Sequence, residues 1–107
     1  MSIDIDAILK TAVGAAAGAV KKSAPQVEDF LREIAKKHLD ALQTLANALK
    51  DGDIDKQTFD DEIDDEAQTL QAELLAAAVI TKAIAQRAIN AFRDALIDGV
   101  TKAIQAL

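Results

Sequence analysis

The chain has 107 residues, 50% of them hydrophobic and 28% charged, enough for one domain and too few for two. It contains no Cys, which excludes a disulfide framework, thiolate metal ligands and a cysteine nucleophile. The 12 Lys and Arg stand against 18 Asp and Glu, a formal net charge of −6, and no basic stripe with interleaved aromatics offers a surface for nucleic acid.

The charge is concentrated. Residues 51–66 hold nine acids and one base, Lys56, while residues 1–50 and 67–107 are each close to neutral. Only four Gly and one Pro punctuate the chain, and period-2 alternation is absent beyond Ile3 and Ile5. The 23 alanines and sparse turn residues predict an all-α protein, a single domain over 1–107.

A first, Ala/Gly-rich helix is expected over about 4–22, capped by Asp4 or Asp6, with Ile5, Ile8, Leu9, Ala12, Ala16, Ala19 and Val20 at spacings of three and four. Pro25 interrupts it and fits the first turn of a new helix, which sets the N-terminal part (1–24) off from the rest (25–107). The second helix is expected over about 25–51. Val27, Leu31, Ile34, His38, Ala41, Leu45 and Ala48 alternate steps of four and three along it.

Gly52 suits the end of that helix and Asp55 the cap of the next, with Ile54 and Phe59 placed as a hydrophobic staple. No Gly or Pro follows until Gly99, so one third helix is expected over about 55–105, about 75 Å long. The two arms then form a long antiparallel helical hairpin, with Pro25 opposite Thr81, His38 opposite Gln68 and the first helix against residues 84–102. A hairpin buries one face of each helix. Leu74, Leu75, Val79, Ile80, Ile84, Ile89, Phe92 and Leu96 need more cover than that, and self-association of two hairpins into a four-helix bundle supplies it. The rival, a monomeric bundle folded again at Pro25 and Thr81, needs a loop where Ala78-Val79-Ile80-Thr81-Lys82 holds neither Gly nor Pro.

Counting from Asp51, the acids Asp51, Asp53, Asp55 and Glu62 stand at loop positions 1, 3, 5 and 12, which resembles the EF-hand calcium loop over twelve residues. The pattern departs at position 6, where Lys56 replaces the turn Gly, and at position 8, where Thr58 replaces a hydrophobic residue. The competing reading is a helix stop followed by a helix start, with the acids placed for the helix dipole. Asp60, Asp61, Glu62, Asp64, Asp65 and Glu66 read as a solvated face that keeps the protein soluble, or as a dock for a basic partner.

His38 is the sole histidine, and Glu33, five residues before it, lies on a different helix face, so the Glu-x-x-His spacing of a di-iron bundle is missing. The only serines are Ser2 and Ser23, and no Gly-rich phosphate loop occurs. No enzyme, cofactor or resident metal is expected. The reading is a non-enzymatic structural or adaptor protein working through helix–helix association, a homodimer or higher oligomer with room for a helical or basic protein partner. A lipid-surface protein using the Gly14-Ala-Ala-Ala-Gly18 helix is the alternative. The leader carries acids where a signal peptide carries bases, so the expected location is the cytoplasm.

Overall fold

The computed structural model describes residues 3–107. Its helices are α1 (Ile5–Ala19), α2 (Ala24–Lys37), α3 (Leu39–Lys50), α4 (Lys56–Ala77) and α5 (Lys82–Gln105), with a short 3-10 turn at Lys21–Ser23. α1, α4 and α5 each start at a side chain that accepts from a backbone N–H, whereas α2 and α3 have no such cap. The Asp4 carboxylate accepts from the Ala7 N–H at 3.1 Å, and Pro25 occupies the first turn of α2.

The α3–α4 turn follows from its residues. Gly52 has φ +79, and the N–H groups of Asp53 and Gly52 donate back to the carbonyls of Ala48 and Leu49, which ends α3 in a Schellman motif. Asp55 then caps α4, its carboxylate accepting from the Thr58 N–H at 2.7 Å. Ile54 and the fully buried Phe59 both join the core, as the staple predicts. The first reversal is tighter. Lys21 takes a left-handed φ of +50, which a side chain other than glycine rarely adopts.

Two expectations are corrected. The single helix over 55–105 is two helices, α4 and α5, because the chain turns back at 78–81. Ala78 and Thr81 are extended, and the Thr81 hydroxyl oxygen accepts from the Ile84 N–H at 3.2 Å, so threonine supplies the helix start that no Gly or Pro marks. Four residues outside the helix also reset its phase. The buried face of α5 is Ala85, Ala88, Ile89, Phe92, Leu96 and Val100, while Ile84, Ala91 and Ala95 are only half-buried. The second helix is likewise interrupted, at His38, where φ −102 and ψ 6 separate α2 from α3. In place of a rod of about 75 Å, the molecule measures 40 × 21 × 20 Å.

The arm-to-arm pairing survives the refolding. Ile8 of α1 meets Gly99 of α5, and His38 meets Glu66 and Glu73 of α4, on either side of the expected Gln68. Both arms fold back at the same level. The reversals at 20–23 and 78–81 therefore share one end of the bundle, and the acidic 51–55 turn lies at the other, where Gln43 donates to the Ile3 carbonyl. The core runs through all five helices, with Leu31, Leu42, Phe59, Ile63, Leu70, Leu74, Phe92 and Leu96 nearly inaccessible.

α1 and α5 make the most extensive contact. Ala12 and Ala16 of α1 and Ala85 and Ala88 of α5 are all fully buried, and small side chains let helix axes approach toward the low end of about 8–10 Å. A Cβ at Gly99 would stand 2.8 Å from Ile8 Cγ2, a methyl fixed by the stiff χ1 of a helical β-branched residue. Gly14 and Gly18 have open space where a Cβ would lie.

Gly99→Ala is expected to lower stability, since overpacking of about 1–3 kcal/mol outweighs a helix-propensity gain of about 1 kcal/mol. Gly18→Ala is expected to raise it by about 0.5–1 kcal/mol. Paired thermal melts check the opposite signs. Asp55 is held below the usual carboxylate range, first by the Thr58 N–H and then by the Thr58 hydroxyl. Its cap therefore stabilises the fold fully above its unfolded value of about 3.9, and the contribution disappears as pH falls through the lower folded value. Asp55→Ala is expected to melt below the parent at neutral pH, with the gap closing in strong acid.

Candidate functional site

A groove of about 580 Å³ lies between α1 and α2, ending at the start of α3. Buried Leu9 and Val13 of α1 and Ala35 of α2 line it, with Leu39 of α3 closing one end. Small residues make it possible. Gly14 presents no side chain to the groove, and the adjacent space is empty. Its rim is charged with both signs, Lys10 beside Asp6 on α1 and Arg32 beside Glu28 on α2, each pair one helical turn apart. A second groove, of about 550 Å³ between α4 and α5, is polar, lined by Gln68, Gln71, Gln86, Asn90 and Arg93 among others.

His38 stands next to the first groove, between Ala35 and Leu39 in the sequence. Its backbone breaks the helix and its ring reaches α4, Nδ1 lying 3.0 Å from Glu66 Oε2 and Nε2 2.9 Å from Glu73 Oε1. The three side chains are partly buried, His38 at 19% exposure. A neutral imidazole donates from one nitrogen only, and a protonated ring donates to both carboxylates. The acids of α4 are thus not simply a solvated face. Glu66 binds His38, and Asp64 receives the Arg93 guanidinium, which also donates to Asp94 at 2.8 Å and ties α4 to α5. These carboxylates, Asp64 foremost, raise the Arg93 value above that of a free guanidinium.

The four carboxylates of the EF-hand-like pattern are spent differently. Asp51 ends α3, Asp53 follows the Schellman glycine, Asp55 caps α4 and Glu62 lies on α4 itself. The helix starts at Lys56, inside what the calcium loop would need as coil. Among the described residues, no three of His, Cys, Asp or Glu gather to hold a metal ion.

The residues assigned to self-association do not share one surface. Leu74, Ile89, Phe92 and Leu96 are buried in the core of the chain itself, while Leu75, Ile80 and Ile84 are half-buried against it. Val79 alone stands free, 91% exposed at the tip of the second reversal. Cover that the rod would have drawn from a second copy comes here from the arm folded back. α1 spends Ala12, Val13, Ala16 and Ala17 inside the bundle, so its apolar face is not available to a lipid surface. Among the described residues, no helix is long and apolar enough to cross a membrane.

Sequence reasoning missed the His38–Glu66–Glu73 contact and the groove. The available signal was the hairpin register, which put His38 opposite Gln68, within two turns of both glutamates. His38→Ala is expected to cost about 1–2 kcal/mol by leaving two half-buried carboxylates without their partner. Hydrogen exchange should rise most at the first amides of α3, and a variant that melts like the parent would show the contact to be idle. Comparison with known proteins finds no matching family model, no matching curated relative and no matching solved structure, so the functional reading rests on the geometry of these sites.

Proposed function

We propose that this chain is a non-enzymatic adaptor acting through helix–helix association, which takes one amphipathic helix of a partner protein into the groove between α1 and α2. The observation that carries this reading is the groove itself, about 580 Å³ with an apolar floor. Recognition of a helix in a groove uses apolar anchors at spacings of three and four, with polar flanks left at the rim. The paired charges of Lys10 with Asp6 and Arg32 with Glu28 suit such flanks, because they offer both signs and no strong net field.

An enzymatic reading has less support. His38, the only histidine, has both ring nitrogens engaged by carboxylates, so neither is free to move a proton to or from a substrate.

The test is an amide-shift titration with a set of leucine-anchored amphipathic helical peptides. Shifts are expected to cluster at Leu9, Val13, Ala35 and Leu39. Gly14→Leu places its Cβ in open space and its side chain over the groove floor, so it should keep the helical fold and block the peptide by about tenfold or more, the loss of one well-packed anchor. Binding that survives Gly14→Leu, or shifts scattered away from the groove, would overturn the proposal.

A further inference from the structure

The end of the bundle that carries the two reversals differs from the rest of the surface in charge. Residues 7–27 and 74–93 contain no Asp or Glu, and the fold brings the reversals within these two stretches to one end. Among the described residues, the bases without a carboxylate at ion-pair distance are Lys21, Lys22, Lys82 and Arg87, all near this end, and Lys37 at mid-length. The other bases are paired. At the tip of the same end Val79 projects into solvent at 91% exposure, between the exposed Ala77 and Lys82.

We propose that this end docks on an anionic lipid bilayer surface, with Val79 entering the headgroup region and Lys21, Lys22 and Lys82 meeting the lipid phosphates and carboxylates. The shape favours lipid over a folded protein. Val79 is a convex knob at a turn, and neither groove described above reaches it. A headgroup layer accepts a protruding apolar group without a preformed pocket, and lysines with long apolar stems are at home at that depth. The far end orients the molecule. The acids of 51–66 are repelled by a negative surface, so approach is favoured with the reversals leading. This surface is separate from the α1–α2 groove, and neither proposal requires the other.

The chain contains no Trp or Tyr, so one introduced tryptophan is a clean reporter. Val79→Trp is compared with Gln57→Trp, which is exposed at the acidic end, using the full chain and vesicles of phosphatidylcholine alone or with about 30% phosphatidylserine. Circular dichroism confirms that each variant keeps its helices. Val79→Trp emission is expected to shift to the blue with the anionic vesicles at low salt and not with the neutral ones. Gln57→Trp should stay unshifted in both. Lys22→Ala and Lys82→Ala should each weaken partitioning about fivefold, and added salt should weaken it further. Absence of a blue shift on anionic vesicles overturns the proposal, as does an equal shift in Gln57→Trp. So does a stronger response to a soluble polyglutamate peptide than to vesicles, which would assign this end to an acidic protein.

Discussion

Alanine has one methyl group to bury, so a helix built largely of alanine is held by how closely its backbone approaches a neighbour rather than by the area of its side chains. α1 meets that condition against α5. Ala12 and Ala16 on one helix and Ala85 and Ala88 on the other are fully buried, and Gly99 gives way to Ile8 at a point where a Cβ would not fit. This one-sided contact also accounts for the groove. α1 is drawn to α5, its contact with α2 is less extensive, and Gly14 has no side chain to close the space between them. Small residues thus bind α1 tightly on one side, at Ala12 and Ala16, and leave it thin on the other, at Gly14.

Much of the fold is legible in the sequence wherever a residue carries its own local instruction. Asp4, Pro25, Gly52 and Asp55 mark helix ends by backbone chemistry that needs no tertiary context, and the structure uses each of them as expected. The α4 residues Phe59, Ile63, Ala67, Leu70 and Leu74, spaced by four and three in the sequence, are the buried ones of that helix. The turn at 78–81 escaped because the usual breakers are absent. Its signal is subtler, three β-branched residues in succession, Val79-Ile80-Thr81, the last of which is a competent cap. The break at His38 has no local signal. It coincides with a ring drawn to two glutamates roughly thirty residues away, a separation that sequence periodicity does not encode. The site was less legible than the fold for the same reason, since the groove is a space between helices whose spacing is set by tertiary contacts.

Correcting the reversal changes what the apolar surplus of residues 74–104 means. In an extended hairpin those side chains ask for a second molecule. With both arms folded at one level, Ile89, Phe92, Leu96 and Val100 are buried by the rest of the same chain, and the arm pairing that the hairpin implied is kept. An apolar excess in a helix is therefore evidence of missing cover, and an intramolecular turn supplies that cover with less entropy loss than association does.

The same turn also redistributes charge. In a straight hairpin Lys21, Lys22 and Lys82 would sit on the flank of a rod, with helix continuing past them on both sides. Folding places them at a terminus, together with Val79, and puts the acids of 51–56 at the other end of a bundle 40 Å long. That distance is about four Debye lengths at 0.1 M salt. The two ends are electrostatically independent at such separation, and a partner approaching either one meets its local charge. The net of −6 thus describes neither end. It is the sum of an acidic turn and a smaller set of cations whose lack of partners follows from where the chain folds back.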